Sequence, residues 1–126
     1  MPCRILLVED SALVVHALTL LLELAGHQVG AAGSVAEAVA RARVEPPDIL
    51  LLDLTLPDGD GLQVLEALRA MDAAPPVTVA LTGHEDRATI ARCELAGCRA
   101  VLLKPVPTRE LLARVAEWEG EVRAAR

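Results

Sequence analysis

The chain has no phenylalanine and no tyrosine, and its one aromatic residue is Trp118. A core without rings must be built from Leu, Val, Ile and Ala. Apolar residues make up 53% of the 126 positions, so such a core should be generous. Basic charge is also scarce: 12 Lys and Arg stand against 18 Asp and Glu, a formal net charge of −6. A protein that wraps nucleic acid is normally basic, so binding to DNA or RNA is not expected. An acidic total suits a divalent cation or a basic protein patch better. Leu13 to Ala25 is strongly apolar, but His16 and Glu23 interrupt it and it is too short to span a bilayer; no membrane association is expected. The opening MPCRILLVED lacks a long apolar region and meets acid within ten residues, unlike a signal peptide. Linkers, repeats and low-complexity tracts are lacking. Cys3, Cys93 and Cys98 are an odd count, read as free thiols in a reducing cytoplasm. Cys93 and Cys98 have no neighbouring His or Cys to complete a metal site, so buried structural thiols are expected. The length suits one domain with one unstapled core.

What is present alternates. Ile5–Val8 is a short apolar run. Leu13–Ala25 reads as a helix capped by Ser11 or Asp10 and stopped by Gly26. A weaker strand, Gln28–Ala32, follows, and Ser34-Val35-Ala36-Glu37 is a capping box opening a helix to Val44. Pro46-Pro47 breaks it. Ile49–Leu52 is the second strong run, and Leu62–Met71 a helix after a glycine-rich turn. Val77–Leu81 follows Pro75-Pro76, then a helix Asp86–Ala96 stopped by Gly97, a last run Ala100–Leu103, and a final helix from Thr108 to Val122. This is β-α five times. Runs apolar on both faces predict strands buried on both sides, hence a parallel sheet covered by helices on each face. Ligands of such sheets bind beyond the carboxyl ends of the strands.

At those ends stand Glu9 and Asp10, then Asp53, then Thr82 with Gly83, then Lys104 with Pro105. Carboxylates brought together repel and hold their protons more tightly. A hard divalent cation resolves this, and Mg²⁺ is typically held by one or two carboxylates plus phosphate oxygens. One lysine and one hydroxyl nearby suit a phosphoryl group. A carboxylate can itself be the nucleophile and become an acyl phosphate. The residues therefore predict a Mg²⁺ site that places a phosphoryl group at Asp53.

Glu9-Asp10, Asp53 with Pro57 and Gly61 beyond it, Thr82-Gly83 and Lys104-Pro105 occur in order across the whole chain. This pattern resembles the receiver domain of two-component response regulators, single-domain chemotaxis-regulator-like or from a hybrid histidine kinase. The resemblance implies an α/β, flavodoxin-like (βα)5 fold with strand order 2-1-3-4-5. It implies one receiver domain over residues 1–126, with no output domain following. By resemblance, Asp53 accepts a phosphoryl group from a histidine kinase or phosphotransfer protein. Asp10 and Asp53 ligate Mg²⁺ with the Thr55 backbone carbonyl, and Glu9 acts through a metal-bound water. Thr82 moves to bond the phosphoryl oxygens, Lys104 pairs with them, and the Lys104–Pro105 peptide is cis. A receiver catalyses its own phosphorylation and dephosphorylation, without separate substrate turnover, and works in the cytoplasm.

The chain departs from the family pattern at Val101, where receivers usually carry the Tyr or Phe of a threonine–aromatic switch. Activation is then expected to rest on the loop Thr82 to Asp86, or output to be read near the phosphate. Thr55 and His84 occupy positions that tune phosphate lifetime; neither is the acid or amide that best positions water, which favours a long-lived acyl phosphate. Two other functions compete: an aspartate-nucleophile phosphatase, which needs a second Asp where Thr55 stands, and a phosphorylation-silent receiver used for contacts alone.

Plainer readings also exist. Glu9-Asp10 would merely cap the first helix, Asp53 a turn, Thr82 a helix, and Lys104 would be solvated. Gly59-Asp60-Gly61 lacks the third glycine of a dinucleotide fingerprint and reads as a turn. His16 reads as packed or partly exposed, and His27 as loop punctuation. Arg87, Arg92, Arg109 and Arg114 read as solvated helix faces or an output surface. The first helix, apolar nearly all round, either docks a kinase helix or a second copy in a weak homodimer, or is buried more than average.

Overall fold

The computed structural model describes residues 3–84 and 86–125; Glu85, in the loop singled out after Thr82, lies outside them. The elements run β1 Arg4–Val8, α1 Ala12–Leu24, β2 Gln28–Ala32, α2 Val35–Val44, β3 Ile49–Asp53, β4 Thr55–Leu56, β5 Gly59–Asp60, α3 Leu62–Ala70, β6 Val77–Thr82, α4 Arg87–Ala96, β7 Ala100–Leu103 and α5 Thr108–Ala124. Five strands form one sheet in the order β2-β1-β3-β6-β7, and every pairing within it is parallel. The expected order is thus observed. The one element the sequence reading lacks is the β4–β5 hairpin, a two-residue antiparallel pairing inside the expected glycine-rich turn.

Alternation along the strands divides the core into two layers. Ile5, Leu7, Ile49, Leu51, Val77, Val79 and Leu81 face α1 and α5, where they meet Leu22, Leu111, Val115, Trp118 and Val122. Leu6, Val8, Leu50, Leu52 and Ala80 face α2, α3 and α4, meeting Ala38, Ala42, Val64, Leu68 and Cys93. Trp118, fully buried, supplies the only ring to the first layer.

Local chemistry sets the boundaries. Ser11, not Asp10, caps α1 by accepting from the Val14 amide at 3.4 Å, so Glu9 and Asp10 are left for another use. Ser34 accepts from Glu37 N at 3.1 Å. Two further amides of the first turn are held from outside the helix: Asp58 reaches from the hairpin and accepts from Val35 N at 2.8 Å and Ala36 N at 3.1 Å. Asp86 caps α4 rather than opening it, accepting from Thr89 N at 2.7 Å. Gly97 ends α4 in the left-handed region at φ 96°, which glycine adopts without steric penalty.

Three plain readings are corrected. The α1 surface is not buried more than average: Leu13 is 79% exposed and Leu24 78%, with Leu20 between them. Positions 13, 17, 20 and 24 share one helix face, so this is a continuous apolar stripe. His27 is not loop punctuation but a buried side chain whose Nδ1 lies 3.2 Å from Glu119 Oε2 on α5. Nor are all the arginines merely solvated. Arg92 pairs with Asp60 of the hairpin, and Arg114 lies 5.1 Å from the Trp118 ring centroid, a cation–π contact.

Candidate functional site

The parallel register brings the carboxyl ends of β1, β3, β6 and β7 to one rim. β3 sits between β1 and β6, with Leu52 opposite Val8 on one side and Asp53 opposite Leu81 on the other. Glu9 and Asp10 follow β1 directly, so the three acids meet. One carboxylate oxygen from each of Glu9, Asp10 and Asp53 lies within 4.8 Å of the others. Glu9 and Asp53 are buried, while Asp10 is exposed to solvent.

Lys104, just beyond β7, reaches across the rim. Its ammonium lies 2.8 Å from Glu9 Oε2 and 3.2 Å from Asp53 Oδ2. It is the only lysine in the chain. The remaining oxygens are held by backbone: Glu9 Oε1 accepts from Ser11 N at 3.2 Å and Asp53 Oδ1 from Thr55 N at 3.0 Å. Burial, the larger effect, raises the Glu9 carboxyl above its ordinary range and the Asp53 charge adds to this, while the bonds from Lys104 and Ser11 offset part of it. For Lys104, burial alone would lower the ammonium, but the hydrogen bonds to Glu9 and Asp53 and their charges outweigh it and leave it raised.

Thr82 ends β6 almost fully buried, its hydroxyl oxygen accepting from His84 N at 3.1 Å. Lys104 N donates to the Thr82 carbonyl at 2.7 Å, tying the two strand ends together. The Lys104–Pro105 peptide is cis, as expected. Gly83 and His84 are exposed. Val101 is half-buried and lines a small cavity with Thr82, His84, Ile90 and Arg114. Thr55 presents its side chain to solvent, and its amide is the group that contacts Asp53.

Gly61 is required by contact rather than by φ. A Cβ there would lie 2.1 Å from the Asp53 carbonyl oxygen, so this glycine lets α3 start directly against the strand that carries the acid. Asp60 accepts from Leu62 N at 2.8 Å and also pairs with Arg92, bracing the hairpin between α3 and α4. The sequence reading missed Asp58 and Asp60 as supports. Asp60 had a local signal, an acid two residues before an apolar helix start. Asp58 had none, because the amides it holds are 22 and 23 positions away.

Three carboxylates and one ammonium leave the cluster with a surplus of two negative charges. Hard oxygen donors with that surplus fit Mg²⁺. A buried carboxylate paired with a lysine at this rim, with a buried hydroxyl ending the neighbouring strand, suits phosphoryl transfer.

Comparison with known proteins agrees with this chemistry. The family described as response regulator receiver domain matches residues 5–116. The virulence transcriptional regulatory protein PhoP of Salmonella typhi is 38% identical over 114 residues, covering 89% of this chain and 50% of PhoP. The acid tolerance regulatory protein ActR of Rhizobium meliloti is 35% identical over 117 residues, covering 93% of this chain and 60% of ActR. The chain thus spans about half the length of the curated relatives it matches. Among solved structures, a CheY-like response regulator receiver domain protein from Methanospirillum hungatei superposes with a TM-score of 0.90 at 27% identity, covering 100% of both chains. The BeF3-activated N-terminal receiver domain of Klebsiella pneumoniae RstA gives 0.81 at 27% identity, covering 90% and 95%. Topology, rim chemistry and sequence relationship converge, and the chain belongs to the receiver domains of response regulators.

Proposed function

We propose that this chain is a phosphorelay receiver that takes a phosphoryl group onto Asp53. The observation that carries the reading is the meeting of Glu9, Asp10 and Asp53 within 4.8 Å under a single lysine, which lies 3.2 Å from Asp53. Asp10, Asp53 and the Thr55 carbonyl would hold Mg²⁺, with Glu9 acting through water. The ion would supply positive charge at the phosphoryl oxygens beyond what Lys104 provides.

In the transfer, an Asp53 oxygen attacks phosphorus in line and the bond from phosphorus to the donor histidine nitrogen breaks. The electron pair returns to the imidazole, which takes up a proton. Lys104 is placed to neutralise the transferred oxygens, and the Thr82 hydroxyl to bond one of them once its link to the His84 amide is exchanged. Thr55 stands where a phosphatase of this chemistry would need its second acid, so a lasting aspartyl phosphate, not turnover, is the outcome we assign. The donor is a histidine kinase or phosphotransfer protein, for which the exposed Leu13, Leu20 and Leu24 face beside the rim is a docking surface. A second copy in a weak homodimer is the competing occupant. The setting is cytoplasmic; among the described residues no helix is long and apolar enough to cross a membrane.

The test is incubation with Mg²⁺ and acetyl phosphate, read by intact mass, beside Asp53→Asn. One phosphoryl group on the wild type and none on the variant is expected. Multiple turnover without a retained adduct would favour the phosphatase reading. Binding of Mg²⁺ without either adduct or turnover, also with a phosphorylated donor histidine, would favour a silent receiver.

A further inference from the structure

Away from the acidic rim, the turn that ends α4 brings two thiols together. The Cys98 amide donates to the Cys93 carbonyl at 3.0 Å and the Gly97 amide to the Glu94 carbonyl at 3.0 Å, the pair of bonds that defines a Schellman turn. In that motif the side chains of the residues at the ends of the longer bond frequently pack together. Here those residues are Cys93 and Cys98, held one turn apart by that bond, and each thiol acts on the electrostatics of the other. Gly97 fixes the turn with its φ of 96°. Cys93 is fully buried in the α2–α3–α4 layer, whereas Cys98 is only half-buried and borders that layer. Cys3 lies in the opposite layer.

We propose that Cys93 and Cys98 are an oxidisable dithiol, the site of an intramolecular disulfide that staples the end of α4 to the start of β7. The oxidant class is a low-molecular-weight disulfide such as oxidised glutathione. The Cys98 thiolate, on the accessible side, attacks one sulfur of that disulfide. The S–S bond breaks, and one glutathione thiolate leaves with the electron pair. Cys93 then gives its proton to solvent and attacks the Cys98 sulfur, expelling the second glutathione thiolate. The two protein thiols lose two electrons and two protons, and one small disulfide is reduced to two thiols. The backbone bond from Cys98 to Cys93 already holds the two residues side by side, and closure brings their sulfurs to a bond of about 2.05 Å.

Burial pushes both thiols up, Cys98 to about 12, with the Cys93 thiol adding to the effect and the Arg69 charge opposing it. Either thiolate is therefore disfavoured, whereas a disulfide carries no charge and suits the buried site. Exchange should accordingly be slow, and the pair is best examined at equilibrium.

The chain is equilibrated anaerobically in glutathione buffers of increasing oxidised fraction, quenched with acid and an alkylating reagent, and read by intact mass and peptide mapping. The expected product carries one alkyl adduct, on Cys3, with Cys93 linked to Cys98, and is lighter than the fully alkylated chain by two adducts plus about 2 Da. Cys98→Ser should abolish it. Cys93→Ser should instead retain one glutathione on Cys98, since no second thiol expels it. A wild type that accumulates glutathione on Cys98, links Cys3, or keeps three alkylated thiols at the most oxidising buffer overturns the proposal. The wild-type peptide map decides even if a variant fails to fold.

Discussion

Lys104 Nζ stands 3.2 Å from Asp53 Oδ2, joining the end of the edge strand β7 to the end of the central strand β3 across 51 positions of sequence. The same ammonium holds the buried Glu9 at 2.8 Å. It is a built-in counter-charge, and it occupies acids that a metal would need. Removing it should leave buried acid without a partner. Lys104→Met is expected to lower stability by about 1–3 kcal/mol without Mg²⁺. It should also enlarge the rise in melting temperature on adding Mg²⁺, because the ion no longer competes with a lysine. Calorimetric melts with and without Mg²⁺ test this; a smaller Mg²⁺ increment in the variant would show that Lys104 and the metal do not share these acids.

Glu9 gives the site a pH dependence of known sign. Its carboxyl is raised, first by burial and then by the Asp53 charge. Relative to the unfolded chain, the folded state therefore favours protonated Glu9, and this contribution to stability is lost as pH rises through the raised value. A bound cation requires the opposite form. Mg²⁺ affinity should thus weaken on acidification beginning above the ordinary glutamate value of 4.5. Titration calorimetry across mildly acidic pH is the measurement, and Glu9→Gln should flatten the profile. An equally steep profile in that variant would remove Glu9 from the linkage.

Two glycines make opposite predictions. Gly61→Ala puts a Cβ 2.1 Å from the Asp53 carbonyl oxygen and 2.9 Å from Leu54 Cα, both backbone atoms that move only at a cost to the strand. A loss of about 3 kcal/mol is expected, together with slower phosphorylation, since the backbone of Asp53 must shift. Gly120 lies in α5 with open space around its Cβ position. Gly120→Ala should raise stability by up to about 1 kcal/mol. Denaturant melts of the two variants check both signs.

Asp58 holds two amides at the start of α2, and those bonds keep its carboxyl below the ordinary value of 3.8. Such a group stabilises the fold above that value, and its contribution is lost as pH falls through the lower folded value. Asp58→Ala should therefore be less stable than the wild type near neutrality, with the gap closing in strong acid. A gap that is independent of pH would mean the caps contribute nothing through the charge.

Val101 lines a cavity with Thr82 and is only half-buried. Val101→Ala should cost about 1 kcal/mol and leave the difference between phosphorylated and unphosphorylated protein unchanged. Hydrogen exchange in the loop after Thr82 is the readout. A variant that abolishes that difference would make position 101 part of the switch.

Most of the fold is legible because its determinants are local. The run Ile49–Leu52 is apolar at every position, which only a strand covered on both faces explains, and Ser34, Asp86 and Gly97 mark helix ends by their own chemistry. The rim residues are legible for a related reason: Glu9, Asp53, Thr82 and Lys104 all fall where an apolar run stops. What escapes is what depends on distant partners. Asp58 caps a helix start more than twenty residues before it, His27 finds Glu119 at the other end of the chain, and the hairpin at Thr55–Leu56 is too short for any period to show. The exposed α1 leucines were ambiguous for the same reason, since hydrophobicity alone does not say which side meets protein.

The division of β3 between two layers has a consequence for the chemistry. Ile49 and Leu51 serve one side of the sheet, Leu50 and Leu52 the other. A slip of one residue would exchange these sides and carry Asp53 about 3.3 Å along the strand. The fold cannot misalign Asp53 without turning its own interior inside out, so the tolerance of the acidic rim is inherited from the packing of the apolar strand behind it.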